Sequence, residues 1–267
     1  MDNIGNTVNM HWQNLLNTIM VSGHLAYPRG TKTKELLGMK SMINMNKPVI
    51  TIKERKLGYK FMAAEAAWIM SGDNRVSTIA PFSKAISKFS DDGILFFGAY
   101  GPQIRDQLGH VVRTLCEDID SRQAVISIWR PNPRESKDIP CTISCQFMVR
   151  SGYLDCFMNM RSSDAWLGVP YDWFNFSMLS AGIALMLRQK GIPVKLNALH
   201  FYAASQHAYE QDWKDIEGCL NGEILGEYAP INLDDFNDYD DLVAHLWNVA
   251  RFDVDKGFLC ELQSWKG

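Results

Sequence analysis

Residues 161–176 read RSSDAWLGVPYDWFNF. An Arg-Ser pair (Arg161, Ser162) is followed by Asp164, a Gly-Val-Pro turn at 168–170, and a second acid, Asp172, that opens a strongly apolar run. That run, WFNFSMLSAGIALMLRQ at 173–189, predicts a long buried helix ending before Gly191, a suitable C-cap. An acid at the head of such a helix has two readings. Asp is a favoured N-cap; alternatively, a carboxylate is kept for chemistry in a place where an unpaired charge is expensive.

Working outward, 143–149 (ISCQFMV) and 153–160 (YLDCFMNM) predict adjacent strands, and 123–129 (QAVISIW) another. Residues 8–22 and 59–71 carry apolar side chains at helical spacing, the latter with one internal acid, Glu65. AYPRGTKTKE reads as a polar loop, and the chain from 218 is acidic and mixed. Interleaved helices and strands, with the adjacent strands between 143 and 160, give an α/β (α+β) class containing hairpins, not a pure βαβ series. With 267 residues, 46% of them hydrophobic, and no linker or repeat, the expectation is a single domain over 1–267.

The net charge of −3 excludes a general field for nucleic acid, though a local arginine cluster can still hold one phosphate. No apolar stretch is long enough for a membrane span, and the N-terminus lacks a signal-peptide pattern. Six cysteines lie scattered at 116, 141, 145, 156, 219 and 260 without metal-type pairs, so the chain reads as a reducing, cytoplasmic protein without a metal.

Taken singly, the reactive residues are ambiguous. Cys141, after a proline and before a strand, reads first as a small buried hydrophobe; no signature supports a Cys-His protease. Glu65 inside an apolar helix needs a partner or a raised pKa, and either can be structural or functional. Arg29 in YPRGTK and the Arg161-Ser162 pair can be surface groups.

Together these pieces resemble the thymidylate synthase family. The resemblance rests on PCT-x3-QF (140–147), RSSDAWLGVPYD (161–172) and HFY (200–202), with PRGTKT, AEAAWIMSGD, GAYGPQIR and DSRQAVISIW in the family's order. It implies a large mixed β-sheet with packed helices and a homodimer formed through the sheets. It also implies transfer of a one-carbon unit from 5,10-methylenetetrahydrofolate to C5 of a pyrimidine nucleotide. Carried onto this chain, Cys141 is the nucleophile, Glu65 orders water and moves protons, and Tyr100 lies near the reacting base. Arg29, Arg161 and Ser162 hold the 5′-phosphate, with Arg122 reaching in from the partner. His200 and Tyr202 hold the sugar hydroxyl, and Asp164, with Glu65, meets the folate.

Departures from the family pattern point to one branch. Asp172 stands where the synthases have Asn. An amide matches uracil's donor and acceptor, whereas a carboxyl accepts from the cytosine amino group and supports a proton at N3. Thr142 follows the nucleophile, Met160 precedes the Arg-Ser pair, and an Arg-Pro follows the strand at 123–129. These features resemble the phage-type deoxycytidylate hydroxymethylases and imply a dCMP 5-hydroxymethyltransferase, in the host cytoplasm if phage-encoded. Methylation of dCMP or dUMP, or nucleotide binding without catalysis, are the alternatives. Gln123 replaces the usual second Arg. The segment 84–93 (KAISKFSDDG) lacks the tryptophan that the synthases place near the one-carbon intermediate, which favours access of water.

Overall fold

The computed structural model describes residues 7–226 and 228–252; Cys260 lies outside the described residues. In chain order the elements are α1 (Val8–Ser22), β1 (His24–Ala26), β2 (Thr33–Asn44), α2 (Tyr59–Met70), α3 (Val76–Ile79), α4 (Tyr100–Glu117), β3 (Val125–Ser127) and β4 (Thr142–Arg150). There follow β5 (Tyr153–Met160), β6 (Ser163–Asp164), α5 (Val169–Gln189), β7 (Lys195–Tyr209), α6 (Trp213–Leu220) and α7 (Tyr239–Arg251).

One mixed sheet runs in the order β1-β2-β7-β5-β4-β3, with β6 paired to β7. The expected hairpin is β4–β5. Its turn is Ser151-Gly152, both at positive φ (52° and 78°), the conformation whose twist matches two antiparallel strands. β5 and β7 are parallel, which requires a crossover, and α5 supplies it. The strand expected at 123–129 is shorter, Val125–Ser127. The polar stretch read as a loop ends inside β2, because Thr33, Lys34 and Glu35 pair with Tyr209, Ala208 and His207. β2 lacks a clean alternation, and its partner lies far along the chain.

α5 is apolar on all sides and buried almost throughout, so it occupies the centre of the molecule. It packs on β5 and β7 on one side and on α2 and α7 on the other. Gly182 permits the second approach: a Cβ there would come within 2.6 Å of the Tyr239 ring. At its C-terminus Gly191 adopts φ 82°, and the Ile192 N–H returns to the Leu187 carbonyl, closing the helix as expected.

The N-terminus of α5 corrects the sequence reading. The helix begins at Val169, not at 173, with Gly168 as N-cap and Pro170 in its first turn. Proline is tolerated there because its missing N–H has no intrahelical partner to lose. Asp172 is therefore inside the helix, its N–H donating to the Gly168 carbonyl at 2.9 Å. It is not the N-cap. Among the described residues no helix is long and apolar enough to cross a membrane.

Candidate active site

Cys141 immediately precedes β4, next to a register shift between Thr142 and Ser144 that turns the strand end out of regular pairing. The Arg161 N–H donates to the Cys141 carbonyl at 2.9 Å. The guanidinium is fixed by the chain just before the cysteine: Nε donates to Pro140 O at 2.9 Å and Nη2 to Ile139 O at 3.0 Å. Nη1 donates to Ser162 Oγ at 3.0 Å. Nη2 and Ser162 Oγ then lie 3.6 and 3.8 Å from the Cys141 sulfur. Burial pushes the thiol pKa up; the Arg161 charge and the Ser162 hydroxyl pull it back toward thiolate.

A cluster of acids faces this thiol. Asp172 is half-buried, and its carboxyl is held well above the ordinary carboxylate range by burial first, then by Glu65 and Asp164. Glu65 rises to about 7, because burial outweighs the hydrogen bond from Asn175 Nδ2 to its Oε2 at 2.8 Å. Tyr100, at the start of α4, is held protonated by burial and by the nearby Asp172 and Cys141, with hydrogen bonds to Thr142 opposing. Cys141, Tyr100, Asp172 and Glu65 thus form one electrostatically connected group. Thr142 is buried and donates to the Met160 sulfur at 3.0 Å across the β4–β5 pair.

Asp164 closes the loop before α5. Its Oδ1 accepts from the N–H groups of Trp166 and Leu167 at 2.8 and 3.0 Å. Burial still raises its pKa. The Trp166 ring is stacked on Trp12 and lies under the Arg55 guanidinium, 4.4 Å from the ring centre.

The remaining expected residues lie apart from this group. Arg29 is exposed, with φ 51° in the short turn between β1 and β2. Arg122 is exposed, and its carbonyl accepts from Gln146 Nε2 at 2.6 Å. His200 is stacked on Phe157, with ring centres 4.3 Å apart, and its Nε2 lies 3.1 Å from Asp155 Oδ1. Register puts His200 beside Phe157 and Tyr202 beside Asn159, on the sheet face opposite α5, whereas Met158 and Met160 pair with Phe201 and Ala203 on the α5 face.

The β7 histidine on the reactive side is His207. It pairs with Asp164 in β6 and with Glu35 in β2. Burial lowers its pKa, Asp164 and Glu35 raise it, and Arg161 is near enough to lower it further. Ser205 links to the same group, donating to Glu35 Oε1, with His207 Nδ1 3.5 Å from its hydroxyl. The sequence carries a signal for this: His-x-Tyr occurs twice, at 200–202 and 207–209. Parity does not separate the two copies, because the buried positions of β7 change phase between Ala203 and Gln206, opposite Gly38 at φ 69°. Asn175, the partner of Glu65, is a second residue that sequence reasoning missed.

A fixed guanidinium beside a half-buried thiol, with carboxyls biased toward protonation nearby, is an arrangement suited to covalent and acid–base chemistry. More narrowly, the chain belongs to the thymidylate synthase family, whose model matches residues 10–253. It is 27% identical over 254 residues to the deoxyuridylate hydroxymethyltransferase of Bacillus phage SP01, covering 85% of this chain and 64% of that one. It is 32% identical over 188 residues to the deoxyuridylate hydroxymethyltransferase of Pseudomonas phage M6, covering 67% and 49% respectively. With the thymidylate synthase of Coxiella burnetii (strain Dugway 5J108-111) it shares 27% identity over 167 residues, 58% of this chain and 63% of the other. The chain spans about half to two thirds of the length of these curated relatives.

Proposed function

We propose that this chain is a folate-dependent dCMP 5-hydroxymethyltransferase. In this reading the Cys141 thiolate adds to C6 of the base, and the electron pair released at C5 takes up the one-carbon unit. The co-substrate 5,10-methylenetetrahydrofolate supplies that carbon. Loss of the C5 proton then expels tetrahydrofolate and leaves an exocyclic methylene at C5; water, deprotonated by Glu65, adds to that methylene, and expulsion of Cys141 restores the 5,6 double bond. Arg161 and Ser162 meet the 5′-phosphate, joined by Arg29 and by Arg122 of a second copy. Asp164 lies toward the folate and His207 toward the sugar, in place of His200. The sheet face opposite α5 supports a homodimer: Val125, Tyr153 and Tyr202 share that face and are exposed.

The observation that carries the cytosine assignment is Asp172, a carboxyl biased to stay protonated in the first turns of α5. A carboxylic acid offers one acceptor and one donor. Its carbonyl oxygen accepts from the cytosine amino group while its hydroxyl donates to N3. Passing that proton to N3 makes C6 more electrophilic and leaves a paired carboxylate. Uracil can receive the same donor–acceptor pair through N3–H and O4, but its N3 already bears a proton, so no transfer follows.

The names of the two phage relatives favour a second reading, in which the nucleotide is dUMP and the product still carries a hydroxymethyl group. One assay separates the readings. Each nucleotide is incubated with the co-substrate, the product is identified by mass, and the folate is followed by absorbance. A gain of about 30 Da on dCMP with no dihydrofolate is expected, from replacement of C5–H by C5–CH2OH. Turnover of dUMP alone overturns the cytosine assignment, and appearance of dihydrofolate overturns completion by water.

A further inference from the structure

Asn175 lies one turn beyond Asp172 on α5, on the same helix face, and is 3% exposed. Its Nδ2 donates to Glu65 Oε2 at 2.8 Å. Its Oδ1 is buried and has no hydrogen-bond partner among the described residues. A buried acceptor left unpaired is unfavourable, and its persistence at a site calls for a reason.

We propose that Asn175 is a positioning residue that holds Glu65 in place in both of its protonation states. The amide nitrogen donates to the carboxylate; after a half-turn of the amide, the carbonyl oxygen accepts from the carboxylic acid. A primary amide presents a donor and an acceptor at equal reach on one planar group and, unlike a carboxylic acid, stays uncharged at every pH of interest. The orphaned oxygen is then the half of the device that serves the protonated form. Leucine in this place would serve neither state, and a carboxylate would serve only the acid. The titratable groups that face Glu65 are Asp172 and Tyr171, both on α5. On α4 the nearest is Tyr100, which faces Asp172 and Cys141, and on α7 the Tyr239 hydroxyl is taken by the Met70 carbonyl. Asn175 is the hydrogen-bond partner of Glu65 through which its ionised form is favoured.

The inference rests on the reading of Glu65 as the group that handles water and protons, so its test reads Glu65 without substrate. The carboxyl stretch of Glu65 is titrated by infrared spectroscopy in nucleotide-free protein carrying 13C-labelled glutamate, with Glu65→Gln as the reference that identifies the band. In the unsubstituted protein the midpoint is expected near 7. In Asn175→Leu, a near-isosteric change, it is expected to rise by about half a unit to one unit, because the hydrogen bond lost by the charged form is stronger than the one lost by the acid. The acidic limb of the kcat profile moves with it, while nucleotide affinity changes less than about threefold.

Should Asn175→Leu fail to fold, Asn175→Asp tests the same contact. Two carboxyls at hydrogen-bond distance share one proton, so one of them stays protonated to higher pH. An unmoved midpoint in a folded variant overturns the proposal. A shifted midpoint in a protein without one-carbon transfer leaves Asn175 as the partner of Glu65 and overturns the proposed function instead.

Discussion

Nη2 of Arg161 lies 3.6 Å from the Cys141 sulfur, and the same guanidinium is anchored on the carbonyls of residues 139 and 140. The charge that favours the thiolate is thus tied to the segment that carries the thiol. Arg161→Lys keeps the charge but loses the planar fork that makes these bonds. Alkylation of Cys141 by iodoacetamide, followed against pH, should show a thiol pKa raised relative to the unsubstituted protein, because Arg161 lowers it. kcat/KM should fall about a hundredfold or more. An unchanged alkylation profile would show that Arg161 does not tune the thiol.

Asp172→Asn tests the base assignment without disturbing a helix cap, since Gly168 holds that position. The amide keeps a donor and an acceptor but has no proton to pass to cytosine N3. The ratio of kcat/KM for dCMP over dUMP should fall roughly a hundredfold or more, the range for loss of a positioned proton donor. A constant ratio removes Asp172 from base recognition.

Glu65 sets a pH dependence of stability whose sign is fixed by burial. Its folded pKa of about 7 lies above the ordinary 4.5, so the folded state binds the proton more tightly than the unfolded chain. Stability therefore declines as pH rises from the unfolded value toward 7 and levels off above it. Glu65→Gln abolishes this penalty. The variant should be more stable than its parent at pH 8, by an amount on the order of 2–3 kcal/mol, and equally stable at pH 4. Thermal melts at the two pH values measure the difference; a gain that persists at pH 4 would point to packing instead of titration.

Arg122 is exposed in one chain and is proposed to serve the site of another. Arg122→Ala and Cys141→Ala proteins, each weakly active or inactive alone, should recover activity when their subunits are exchanged. One of the two sites in the mixed dimer then carries neither substitution. Sedimentation confirms exchange, and absence of recovery after exchange rejects a shared site.

The linear chain made a good part of this legible. The motif at 161–172 and the Cys141 segment pointed to the family, and periodicity located α1, α2 and the β4–β5 hairpin, because those signals are local. Cys141, Arg161, Ser162, Asp164, Asp172, Glu65 and Tyr100 are singled out only through the resemblance to the family, since each is ambiguous by its local sequence alone. Long-range pairing decided the rest. β2 escaped notice since its partner lies about 170 positions away, as Glu35 and His207 show. Strand register put His207 beside Asp164 and His200 beside Phe157. Folding also brought Asn175 onto Glu65, 110 residues earlier in the chain, and enclosed Asp172 with two other acids. Which groups carry a proton follows from desolvation and neighbouring charge, and neither exists until the chain has folded.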